Sequence, residues 1–150
     1  MSASFEFVTS GRICFGKGTI NQLNNVVKGK TKALIVCGGD ESRVFPVTTA
    51  LRSAGVDFTL FKTTPEPTTD CVDEGVTIAR ACGCEVVIGF GGGSALDVAK
   101  AIAAIATNPG PAVEFCEGIG CGRQLTAPPL TIIACPTTAG TGSEVTKNSV

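Results

Sequence analysis

Residues 85–106 constrain this chain most. The run 85–90 (EVVIGF) is short, apolar and of strand type, and it passes without a spacer into Gly91-Gly92-Gly93-Ser94. Residues 95–106 (ALDVAKAIAAIA) then read as a helix that is apolar nearly all round, and such a helix has to be buried. Three successive glycines are a costly way to build an ordinary turn, because glycine loses more conformational freedom on folding than any other residue. What they supply is main chain without Cβ atoms at a helix start, where free N–H groups attract an anion such as a pyrophosphate. Ser94 is the expected helix cap, and Asp97 three positions on fits a capping box.

The rest of the chain repeats this grammar. Residues 32–37 (KALIVC) form an apolar run that ends in Gly38-Gly39-Asp40, as a buried strand closing into a turn. A helix is expected over about 43–53, with Pro46 in its first turn and Gly55 as its stop. Residues 56–61 (VDFTLF) alternate like a half-covered strand, and 63–69 (TTPEPTT) form a proline-stiffened loop. A second helix spans about 70–82, with Val72, Val76 and Ala79 on one face and Gly83 at its end. Asn108-Pro109-Gly110 stops the helix that follows the triglycine, and 130–135 (LTIIAC) is a further strand. Residues 5–20 are expected to add an edge strand or hairpin. Buried strands separated by helices pair in parallel through right-handed crossovers. The fold class is therefore α/β: an open, mostly parallel sheet with helices on both faces, in one domain that suits 150 residues.

Composition removes several functions. With 43% hydrophobic residues and 17% charged, the chain has the balance of a compact globule rather than a disordered one. Net charge is −1 and the Lys and Arg residues are scattered, so no basic face is present for nucleic acid. No apolar run is long enough to span a bilayer, and residues 1–10 lack the features of a signal peptide. The eight cysteines include no CxxC, and Cys82-Gly83-Cys84 has no companion ligands at metal spacing. They read as buried reduced thiols of a reducing compartment, with the cytoplasm expected and a lost organellar presequence left open. There is no histidine, which removes the commonest general base and metal ligand. Neither catalytic residues nor metal ligands are expected within these residues.

A second loop carries chemistry. Thr137, Thr138, Thr141 and Ser143 follow strand 130–135 at once, and so fall on the same sheet edge as the triglycine. Hydroxyls there suit a sugar, a phosphate or a nicotinamide amide; the plainer reading is a turn that satisfies its own backbone. Two decoys fail. Gly89, Gly91 and Ser94 have the spacing of GxGxxG but end on serine. Residues 11–18 satisfy GxxxxGK, yet Gly18 stands where a P-loop needs Ser or Thr, and no apolar strand precedes it.

Together FGGGSALDVAKAIA (90–103) and PTTAGTGSEVT (136–146) resemble the iron-containing (group III) alcohol dehydrogenase family. Further similarity lies in RICFGKG (12–18), ALIVCGG (33–39), PEPT (65–68) and TNPG (107–110). The resemblance covers essentially the whole chain and only the front part of a family member. It implies a Rossmann-like NAD(P)-binding domain over 1–150, with the family's helical metal-binding domain absent from a chain that reads as truncated. By position, Gly92, Gly93 and Ser94 match the pyrophosphate cradle. Thr137, Thr138, Thr141 and Ser143 match contacts to phosphate, ribose or nicotinamide, and Asp97 falls close to the nicotinamide.

Asp40 follows Gly38-Gly39, somewhat later than the acidic residue of NAD-preferring members. If it reaches the adenosine ribose it favours NAD; if it points away, the glycines leave room for NADP. NAD is the expected cofactor. Glu66 stands where relatives frequently carry Asn. The family's divalent metal, iron or zinc, is held by a carboxylate and histidines of the back domain, so this chain does not ligate it. The implied activity moves hydride between a small alcohol or aldehyde and NAD(P), in a homo-oligomer when complete, with no nucleic-acid or membrane partner. This chain would supply the cofactor half and be inactive alone. Two alternatives stand beside it: a non-catalytic nucleotide-binding fragment, and a relative of glycerol dehydrogenase or dehydroquinate synthase.

Overall fold

The computed structural model describes residues 9–149. Apolar runs make the strands: β1 (Lys32–Cys37), β2 (Asp57–Lys62), β3 (Val86–Gly91) and β4 (Thr131–Pro136). All pairings are parallel, in the order β2-β1-β3-β4. The most continuously apolar strands, β1 and β3, take the centre and are buried almost throughout; β2 and β4 lie outside them and are largely exposed or half-buried.

Strand periodicity splits the core in two. Leu34, Val36 and Val87 point to the face covered by α3 (Thr69–Ala81) and α4 (Gly93–Ile105), where they meet Val76, Val98 and Ile102. Ala33, Ile35 and Ile88 point to the other face, against Leu23 of the short α1 (Leu23–Val26) and Val47 and Leu51 of α2 (Phe45–Ser53). Helices therefore cover both faces, as expected. Gly75 lets α3 and α4 approach: a Cβ there would lie 2.2 Å from Cδ1 of Ile102.

Local signals set the ends. Thr68 caps α3 by accepting from the Cys71 N–H at 3.3 Å, and Gly83 follows that helix with φ +65°. A 3-10 turn, Glu41–Val44, precedes α2. Arg80 on α3 donates to the carbonyls of Ile105, Ala106 and Asn108, at and just past the end of α4. Asn108 does more than stop the helix. It is 1% exposed, and its side chain joins α4 to residues 126–127.

One expectation is corrected here. No strand forms over residues 9–20, where the chain makes a 3-10 turn at Thr19–Gln22; the start of the expected 5–20 hairpin lies outside the described residues. Among the described residues no helix is long and apolar enough to cross a membrane.

All eight cysteines are free thiols. Burial first, and the adjacent Cys82 second, push the Cys84 thiol up to about 11. Its reactive thiolate therefore appears only as pH nears that value. At pH 8, iodoacetamide is expected to modify exposed Cys14 and Cys121 in the native chain and to spare buried Cys37 and Cys84 until the chain unfolds. Peptide mass spectrometry reads the order; early labelling of Cys84 would count against the buried start of β3.

Candidate functional site

The strand order places a switch point between β1 and β3, because the helix after β1 and the helix after β3 leave to opposite faces of the sheet. In open parallel sheets a crevice opens there, outside the carboxyl ends of the strands. Gly38-Gly39 ends β1, the triglycine ends β3, and Thr137-Thr138 follows β4. The Thr137 N–H donates to the Gly91 carbonyl at 2.8 Å and stitches two of these loops together. The glycines leave room for one another's loops. A Cβ on Gly92 would lie 3.4 Å from Thr138 Oγ1, and one on Gly93 would lie 3.1 Å from Thr141 Cγ2 and 3.3 Å from Ser143 Oγ. Gly91, at φ +156°, would set a Cβ 2.8 Å from that of Ala95.

The expected capping box does not form. Helix α4 begins at Gly93, so its N-cap is Gly92, which has no side chain to bond the first turn. Ser94 falls inside that turn, beyond the capping position, and its hydroxyl donates to the Pro65 carbonyl at 3.1 Å in the PEPT loop. Asp97, 8% exposed, turns to Lys100 at 2.7 Å and accepts from the Ser143 hydroxyl at 3.5 Å. A helix of 13 residues thus starts without a capping side chain, at the wall of a cleft.

That cleft holds about 450 Å³ and is lined by Gly93, Ser94, Asp97, Thr141, Ser143, Thr146 and Asn148. Five of the residues singled out from sequence line it together. Gly92 and Thr138 pack against each other at the preceding loop, and Thr137 contributes its backbone bond. Asp40 is not among the lining residues; it caps the 3-10 turn after β1. Its carboxylate accepts from the Ser42 N–H at 2.9 Å and the Ser42 hydroxyl at 2.8 Å. These bonds, the backbone one first, hold its carboxyl below the usual carboxylate range. Lys100, Thr146 and Asn148 escaped the sequence reading. A signal existed for Lys100: it and Asp97 are the only charges on α4, three residues apart and so on one face.

The chemistry available is that of an anion seat: free N–H groups of a helix start, with hydroxyls of a second loop beside them. Its donors fit a nicotinamide dinucleotide, which brings a diphosphate and two riboses. A metal is not fitted. The chain has no histidine, and among the described residues no group of three or more carboxylates or thiols gathers closely enough to hold an ion.

The family model for iron-containing alcohol dehydrogenase matches residues 10–150. The chain belongs to that family. A sulfoacetaldehyde reductase of Bilophila wadsworthia is 37% identical over 153 residues, covering 98% of this chain and 38% of that protein. A lactaldehyde reductase of Escherichia coli is 38% identical, covering 91% of this chain and 37% of its own length. This family member thus spans little more than a third of the relatives it matches. Among solved structures, sulfoacetaldehyde reductase from Bifidobacterium kashiwanohense in complex with NAD+ superposes with a TM-score of 0.81 at 31% identity. That match covers 97% of this chain and 39% of the other. The chain has the Rossmann-like fold of the front part of the iron-containing alcohol dehydrogenases.

Proposed function

We propose that residues 1–150 are the NAD(P)-binding domain of an alcohol dehydrogenase, an oxidoreductase that moves hydride between a small alcohol or aldehyde and the nicotinamide. The observation that carries this reading is the capless start of α4, opening on a hydroxyl-lined cleft between that helix and the segment that follows β4. The main-chain N–H groups at Gly92, Gly93 and Ser94 take the diphosphate. Thr137, Thr138, Thr141 and Ser143 take phosphate, ribose or amide oxygens, and Asp97 borders the nicotinamide end. The nicotinamide, when bound, supplies the hydride acceptor or donor; these side chains hold and orient it. A divalent metal, iron or zinc, belongs to residues outside this segment, so these residues alone bind cofactor without turnover. The free thiols fit the cytoplasm. The exposed Ile13 and Phe15 fit self-association into a homo-oligomer.

Titration of the chain with NADH, followed by nicotinamide fluorescence, tests the reading. Saturable binding in the micromolar to low millimolar range is expected; none at several millimolar would sink it.

NAD over NADP follows from Asp40. Its carboxyl, held below the usual carboxylate range by the Ser42 bonds, lies three residues past the end of β1; an adenosine ribose seated there would find an acceptor for its hydroxyls, and a 2′-phosphate would be repelled. Asp40→Ser is expected to improve NADPH affinity about tenfold, roughly 1.4 kcal/mol, with NADH affinity falling. The discrimination by the parent should be full at neutral pH and above, weaken as the 2′-phosphate takes up a proton at about pH 6, and vanish as pH drops through the lowered carboxyl value. Equal NADPH binding by parent and variant would remove Asp40 from the site.

A further inference from the structure

We infer that Lys100 is a positioning residue: it holds the 143–149 segment as one wall of the cleft and cancels the charge of Asp97 facing it. The inference deepens the cofactor reading above and rests on it. Beyond Ser94 in its first turn, α4 is otherwise apolar, yet its Asp97 and Lys100 side chains are only 12% and 13% exposed, with Nζ and Oδ1 2.7 Å apart. Burying such a pair is costly unless further bonds satisfy both groups. The bonds found here all run to one segment. Lys100 Nζ donates to the Thr146 hydroxyl at 3.1 Å, to the Thr146 carbonyl at 3.4 Å and to the Asn148 carbonyl. Asp97 accepts from the Ser143 hydroxyl at 3.5 Å, and its own carbonyl accepts from the Ser149 hydroxyl at 2.8 Å.

Residues 143–149 form no helix or strand, and their own bonds are sparse: the Val145 N–H reaches Gly142, and the Thr146 hydroxyl reaches Ser143. Yet Ser143, Thr146 and Asn148 make up one side of the cleft. Apart from the Thr9 hydroxyl, which donates to the Val145 carbonyl at 3.3 Å, the hydrogen bonds that tie this wall to the domain come from a single turn of α4. Electrostatics adds a second reason. Asp97 lines a cleft read as the seat of an anion, and an unneutralised carboxylate there would repel a diphosphate bound beside it. Lys100 does not line the cleft itself, so it acts through its neighbours.

The test compares Lys100→Met and Lys100→Arg with the parent, reading two quantities. One is the NADH dissociation constant. The other, taken without cofactor, is the rate of tryptic cleavage after exposed Lys147, timed by mass spectrometry at matched circular dichroism. Lys100→Met is expected to raise both by about tenfold, since local opening controls such cleavage and a tenfold change is about 1.4 kcal/mol. Lys100→Arg, which keeps the charge and donors, is expected to restore most of each. Cleavage at the parental rate in Lys100→Met overturns the inference, as does faster cleavage with unchanged NADH binding. If the parent binds no NADH, the cofactor reading fails, and the clamp stands or falls on cleavage alone. Should Lys100→Met not fold, Thr146→Val removes one acceptor and leaves the ion pair; both quantities are then expected to rise about threefold, and no change in either overturns the proposal.

Discussion

Replacing Gly93 with valine is expected to abolish measurable NADH binding, raising the dissociation constant about a hundredfold or more, roughly 2.7 kcal/mol. The effect is steric. Gly93 does not need a left-handed backbone, so valine can adopt its conformation. The new Cβ, however, would sit 3.1 Å from Thr141 Cγ2 and 3.3 Å from Ser143 Oγ, and its methyl groups would press further. Either the hydroxyl loop moves away or the first turn of α4 is covered. Each outcome removes half of the seat. Fluorescence titration measures the loss, and circular dichroism checks that the fold survives. Binding within about threefold of the parent would show that the diphosphate does not lie at this helix start.

The second large effect falls on stability. Asn108→Ala is expected to destabilise the chain by about 2–4 kcal/mol, read as a lower urea midpoint at unchanged slope. The side-chain oxygen of Asn108 accepts from the N–H groups of Thr126 and Ala127 at 2.8 and 2.9 Å. Its amide donates to the carbonyls of Ala104 and Ala127 at 2.8 and 3.1 Å. Alanine would strand these groups at a position 1% exposed, where water cannot replace the lost partner. Asn108→Asp keeps the acceptor but turns a charge toward two carbonyls, and should cost at least as much. A change below about 0.5 kcal/mol in Asn108→Ala would show that the 126–127 loop is held by other contacts.

Asn108 also shows where sequence reading stops. As part of Asn-Pro-Gly it was legible as a helix terminator, a local role set by turn chemistry. Its partners 18 and 19 residues on were not, because nothing in the local pattern says which loop returns to the helix end. The strands and longer helices were readable for the opposite reason: apolar periodicity is local, and runs such as 32–37 declare themselves. In the site, the triglycine and the threonine loop were each visible, and the alternating strand–helix order put them on one edge. The capping roles of Ser94 and Asp97 were misread because α4 starts two residues earlier than the capping pattern implied. That shift moves Ser94 into the first turn and frees Asp97 to pair with Lys100. Thr146 and Asn148 carry no motif of their own; only folding brings them to α4.

The guanidinium of Arg80 binds the carbonyls at the end of α4, while among the described residues no side chain caps the opposite end of that helix. A guest at the bare end would complete an electrostatic balance already settled at the other. Since α4 lies across the central strands β1 and β3, such a guest would protect the whole domain by mass action rather than merely ordering a loop. Occupancy and global resistance to heat should therefore rise together as ligand concentration increases.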